Sequence, residues 1–127
     1  MRVFLVRHAE AKPGVPDELR PLTDAGRETA RELGTRLAAE TLDAVVTSPH
    51  LRARETGEAI AQAAGLEAQP DDRLGFDATA DSLREALAGK GATVVAVAHQ
   101  PNCSEIVLAL TGRDVSFAPG GVQELEL

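Results

Sequence analysis

Tryptophan and tyrosine are absent from this 127-residue chain, and phenylalanine occurs three times. Side chains that stack on flat rings are scarce, which argues against a pocket that selects a nucleobase or sugar by stacking. A single cysteine, Cys103, permits no internal disulfide and offers no cysteine cluster for zinc. Basic residues are outnumbered 13 to 20, giving a net charge of −7. A general nucleic-acid or membrane binder would need the opposite balance. The first strand-like run is too short to cross a membrane, and no signal peptide is visible, so a cytoplasmic location is expected. Any anion site in this chain must be a local gathering of arginine and histidine against an acidic background.

Apolar residues make up 43% of the chain, enough for one globular domain over residues 1–127 with a core that needs no disulfide. Val3–Val6 is a continuous apolar run, as in a strand buried on both faces, and it runs out into Arg7-His8-Ala9-Glu10. Residues 11–17 are a loop by their proline and glycine content. Thr23 and Asp24 open a helix in which Ala30, Leu33 and Leu37 recur at helical spacing, ending near Ala39. Asp43–Thr47 reads as a second buried strand. Ser48-Pro49 then suits a helix cap followed by proline at the first helical position, with Ala53, Gly57, Ile60 and Ala64 on the inner stripe. Glu67–Gln69 is a short strand candidate, residues 70–75 a loop, and Thr79–Ala88 a third helix. Thr93–Ala98 is the strongest strand in the chain, with His99-Gln100-Pro101 at its exit. Asn102 and Glu105 have capping-box spacing for a last helix that Gly112 stops. Val122–Leu127 alternates as an edge strand does.

Strands and helices alternate, which predicts a three-layer α/β/α sandwich around a mainly parallel sheet. In such sheets ligands sit beyond the carboxyl ends of the strands. The exits carry Arg7 and His8, then Ser48 with Arg52 one turn into a helix, then His99. Two arginines, two histidines and two helix starts describe an anion pocket, because guanidinium forks match phosphate oxygens and helix-start amides add donors. Phosphoryl transfer asks mostly for positioning and charge neutralisation, and a neutral histidine can attack phosphorus. No grouped carboxylates and no helically spaced histidine pair suggest a metal, and no cofactor is expected. A strand followed by Arg-His rather than a glycine-rich turn disfavours a dinucleotide-binding domain.

Four ordered segments carry a resemblance. They are Val6-Arg7-His8-Ala9-Glu10, Pro21-Leu22-Thr23-Asp24-Ala25-Gly26, Val46-Thr47-Ser48-Pro49-His50-Leu51-Arg52-Ala53-Arg54-Glu55-Thr56, and Val97-Ala98-His99-Gln100-Pro101. Together they resemble the histidine phosphatase superfamily, also called phosphoglycerate mutase-like, and within it the short SixA-type phosphohistidine phosphatases. The resemblance implies that His8 is the phosphorylated nucleophile. It implies that Arg7 and Arg52 clamp phosphate and that His99 stabilises the transferring group. Ala9 and Ala98 stand where glycine is usual in the family.

Larger members of that family place a carboxylic acid to protonate an alcohol leaving group. Asp72, Asp77 and Asp81 lie in the corresponding region, and no motif chooses among them. Phosphohistidine tolerates a poorly defined acid better than an ester does, because imidazole leaves more easily than an alkoxide. The chain also lacks the long insertions that cover the site in larger relatives. Both points favour a phosphorylated protein substrate, with a small phosphoester as the alternative. A low-turnover phospho-ligand binding module is a further alternative, whereas a mutase would need a lid this chain is too short to build. The sequence leaves oligomeric state open. His50 and Arg54 read as surface residues, Ser48 as a cap rather than a nucleophile, and Cys103 as core. Glu10 has two open readings, orienting the site or facing solvent.

Overall fold

A computed structural model describes residues 1–127 throughout. The apolar runs form strands because each has a helical layer to cover both of its faces. Five strands make one sheet: β1 (Arg2–Arg7), β2 (Ala44–Thr47), β3 (Ala68–Pro70), β4 (Thr93–Ala98) and β5 (Val122–Glu126), in the order β3-β2-β4-β1-β5. The pairs β1–β4, β2–β4 and β2–β3 are parallel, and β5 runs antiparallel to β1 at the edge.

Alternation along the strands sorts the core into two layers. Val3 and Leu5 of β1, with Val94 and Ala96 of β4, face α3 (Ala80–Leu87) and α4 (Asn102–Thr111) through Leu83, Leu87, Cys103, Ile106 and Val107. Phe4 and Val6, with Val95 and Val97, face α1 (Asp24–Ala38) and α2 (Leu51–Ala63) through Leu33, Leu37 and Ile60. The three-layer α/β/α expectation holds. No helix is long and apolar enough to cross a membrane. Cys103 lies in the core as expected, and burial pushes its thiol up to about 12.

Local signals explain most boundaries. Thr23 Oγ1 accepts from Gly26 N at 2.9 Å and starts α1, while Thr79 and Ser82 form a reciprocal capping box at α3. Gly112, at φ 76°, ends α4 in the left-handed conformation that glycine adopts without strain.

Two expected caps are corrected. The helix after β2 begins at Leu51 behind His50, so Ser48 is not its cap and Pro49 is not its first residue. The Ser48 side chain is drawn instead towards two histidines. At α4 the capping position belongs to Pro101, and Asn102 and Glu105 form no capping box. Asn102 Nδ2 donates to the carbonyls of Phe76 at 2.8 Å and Ala78 at 3.1 Å, tying down the segment that precedes α3. The single-turn 3-10 helix Asp72–Leu74 lies within residues 70–75, which read as a loop, and another, Asp17–Leu19, begins at the end of the loop over residues 11–17.

Candidate active site at the strand exits

Strand order places β4 between β1 and β2, so the next residue of each arrives at one edge of the sheet. The ladder carries on past the strands: His8 N donates to Ala98 O at 3.1 Å and Ser48 N to Val97 O at 2.9 Å. His8, His99 and Ser48 therefore stand side by side, fixed by backbone rather than by loop conformation. The His8 and His99 rings lie 5.3 Å apart, edge to face.

His8 Nδ1 is 2.7 Å from the carbonyl of Ala9. A carbonyl only accepts, so Nδ1 carries the hydrogen and the neutral ring keeps its lone pair on Nε2. Nε2 has no protein partner and is not among the buried, unsatisfied atoms. The turn is held in place because Ala9 N donates to Thr56 Oγ1 at 3.1 Å, and that hydroxyl donates to Arg52 O at 2.8 Å. Burial lowers the His8 imidazole to about 4; the Ala9 carbonyl opposes this, and the charges of Arg52, Arg7 and Arg20 reinforce it. Near neutral pH the ring is an uncharged base.

His99 is 1% exposed, and Ser48 is fully buried. His99 Nε2 is 2.7 Å from Ser48 Oγ, which is 3.0 Å from His50 Nδ1 and accepts from His50 N at 3.2 Å. His99 Nδ1 is buried without a partner. Burial, then His8, Arg52 and His50, push His99 down to about 3, against the pull of Asp17. Phe76, 52% exposed, packs 4.4 Å from the His50 ring and 4.6 Å from the His99 ring.

The cations have different surroundings. Arg7 Nη1 donates to Phe117 O at 2.8 Å, leaving its buried Nε unpaired. Arg52 is 4% exposed; its Nη1 donates to Asp17 O at 2.8 Å and its Nη2 to Asp17 Oδ2 at 3.1 Å. Arg20 first, then Arg52, holds the Asp17 carboxyl below the usual carboxylate range. None of the surface cavities is lined by His8, Arg52 or His99. No cluster of three or more possible metal-ligating side chains occurs in the chain.

Arg7, His8, Arg52 and His99, the four residues singled out by sequence, come together. Asp72, Asp77 and Asp81 are exposed and make no hydrogen bond or ion pair with this group. The carboxylate that reaches it is Asp17, which sequence reasoning missed. His50 sits against His99 rather than alone on the surface, at a ring distance of 4.8 Å. Its position two residues beyond a strand exit was the available signal. Glu10 is exposed, and its carboxylate accepts from Thr23 Oγ1 at 2.8 Å, so it joins the His8 turn to the start of α1. Gly26 belongs to the same junction, since a Cβ there would lie 2.1 Å from Glu10 O.

Comparison with known proteins identifies the family and the fold. The sequence profile of the histidine phosphatase superfamily, branch 1, matches residues 3–75. A phosphohistidine phosphatase SixA homolog of Haemophilus influenzae is 31% identical over 98% of this chain and 87% of its own length. The structure of the protein histidine phosphatase SixA complexed with tungstate superposes with a TM-score of 0.87 at 25% identity, covering 100% of this chain and 88% of that one. An Agrobacterium tumefaciens structure described as a candidate SixA phosphohistidine phosphatase gives 0.83 at 26% identity, covering 98% and 90%. With the profile spanning more than half of the chain and a relative aligned along nearly all of it, this chain belongs to the histidine phosphatase superfamily.

Proposed function

We propose that the protein is a metal-independent phosphatase of the SixA type, a single domain that removes phosphoryl groups from protein phosphohistidine through a phospho-His8 intermediate. The observation that carries this reading is the His8–Ala9 hydrogen bond of 2.7 Å, which leaves Nε2 as a free lone pair beside two arginines. Nε2 attacks phosphorus while Arg7 and Arg52 balance the equatorial oxygens and His99 supports the transferring group. Water then attacks the phospho-His8 intermediate and releases phosphate. Tungstate, a tetrahedral oxyanion like phosphate, is the ligand named for the SixA structure to which this chain is similar.

The substrate class follows from the leaving group. Asp17 is held ionised and has no proton to give, while Asp72, Asp77 and Asp81 stand outside the cluster. A phosphohistidine protonated on its second ring nitrogen leaves as neutral imidazole and needs no carboxylic acid. Phe76 supplies an apolar edge beside the histidines that a protein surface can cover. A lone, buried cysteine suits the cytoplasm.

The test compares wild-type hydrolysis of a phosphohistidine peptide with that of p-nitrophenyl phosphate. Preference for the peptide supports the reading, and the reverse preference replaces it with a metabolite phosphatase. Vanadate binding without turnover of either substrate replaces it with a phospho-ligand binding module.

A further inference from the structure

His99 stays neutral near pH 7, and a neutral imidazole releases one N–H proton readily only when its other nitrogen takes one up. Its neighbours provide for that. His99 Nε2 and His50 Nδ1 approach the same Ser48 hydroxyl, at 2.7 Å and 3.0 Å. A hydroxyl has one hydrogen to give, so it donates to one ring and accepts from the other. The main-chain N–H of His50, also on Ser48 Oγ at 3.2 Å, holds the oxygen in place. The chain of three has two free ends. At one end His99 Nδ1 is buried and unpartnered; at the other His50 Nε2 has no protein partner and is not buried.

We propose that His50, Ser48 and His99 form a proton relay between solvent and the substrate's leaving atom, and that it lets this pocket hydrolyse phosphoesters as well as phosphohistidine. The inference rests on the reading of His8 as the nucleophile. As the bond from His8 Nε2 to phosphorus forms, the bond from phosphorus to the ester oxygen breaks. That oxygen takes the proton from His99 Nδ1. The Ser48 hydroxyl proton moves to His99 Nε2, the His50 Nδ1 proton moves to Ser48 Oγ, and His50 Nε2 takes a proton from solvent. In the second step water bonds to phosphorus as the bond from phosphorus to His8 breaks. The water proton enters at His99 Nδ1 and the relay runs backwards, releasing a proton to solvent from His50 Nε2. One water is consumed, and every member ends as it began.

The charged and titratable groups around the relay are Arg52 from α2, Asp17 and Glu18 from the 3-10 turn, and the neutral His8 from the β1 exit. Burial lowers both relay histidines and Arg52 adds to it, while the acidic pair opposes this at His50. His50 acts through Ser48 and is a positioning residue.

The experiment measures kcat/KM of wild type, His50→Gln and Ser48→Ala on phenyl phosphate, p-nitrophenyl phosphate and a phosphohistidine peptide. Vanadate affinity and thermal stability are measured alongside. Glutamine still bonds to Ser48 but cannot trade a proton on one atom for a proton on another. Phenolate needs its proton far more than p-nitrophenolate or a protonated phosphohistidine does. General acid catalysis is worth roughly a hundredfold or more, so the ratio of phenyl phosphate to phosphohistidine turnover should fall at least tenfold in both variants. Vanadate affinity should change little in His50→Gln. An equal loss on all three substrates, or none, overturns the relay. A wild type inactive on all three overturns the phosphatase reading itself, an outcome distinct from an active wild type indifferent to His50→Gln.

Discussion

Asp17 meets Arg52 with two of its oxygens, the main-chain carbonyl on Nη1 at 2.8 Å and carboxylate Oδ2 on Nη2 at 3.1 Å. The N–H groups that would grip a phosphate fork are the ones Asp17 occupies. If Arg52 clamps phosphate as proposed, an incoming phosphoryl group and Asp17 compete for it. Asp17→Asn removes the competing charge and should tighten vanadate binding by roughly tenfold, the equivalent of one charge-assisted hydrogen bond. Weaker binding would mean that Asp17 holds Arg52 in its working geometry instead.

As the proposed nucleophile, His8 should be available well into acid. Burial and three arginines lower His8 to about 4. Ring resonances followed by NMR should show His8 titrating near that value, with Nδ1 protonated at pH 7 because it faces the Ala9 carbonyl. Titration at the ordinary histidine value would contradict the described environment.

Stability should fall with pH for the same reason. His8, His99 and His50 all have folded values below the unfolded histidine value of roughly 6.5. Above that value they are neutral in both states. Below it the unfolded chain binds protons that the native state refuses, so stability present above the unfolded value is lost as pH falls towards 4 and 3. Asp17 and Asp71, both lowered by arginine partners, add the same sign at lower pH. Tm should drop between pH 7 and pH 5, and His99→Asn should flatten the decline.

The turn after β1 should be sensitive to small changes beneath it. Thr56→Val keeps the shape but removes the acceptor for Ala9 N–H, leaving a buried donor unpaired at a cost of about 1–3 kcal/mol. Gly26→Ala drives a Cβ into the Glu10 carbonyl, so α1 or the turn must move. Urea unfolding of both variants gives the comparison, and midpoints equal to wild type would refute the description of this junction.

Sequence made the sheet legible where packing is simple. Strands β1, β2 and β4 are covered on both faces, so they show as unbroken apolar runs whose ends carry His8, Ser48 and His99. The helices were readable through Thr23, Thr79 and Gly112, whose backbone roles suit those residue types. Short turns were not, because a single 3-10 turn such as Asp17–Leu19 has no periodicity to detect. That is why Asp17 escaped notice: its role arises from contact with a residue 35 positions away. Ser48-Pro49 misled for a related reason. The pair has the chemistry of a helix start, but its hydroxyl is taken by His99 across the sheet edge. Phe76 likewise reached the site through Asn102, which bonds the Phe76 carbonyl from the start of α4.

The most direct test of the central claim is transfer of a radiolabelled phosphoryl group from a phosphohistidine peptide to the enzyme, quenched in alkali during turnover. Wild type should carry an alkali-stable, acid-labile label on His8 Nε2, and His8→Ala should carry none and lose turnover by three orders of magnitude or more. Sustained turnover by His8→Ala, or label on a residue other than His8, would contradict the account.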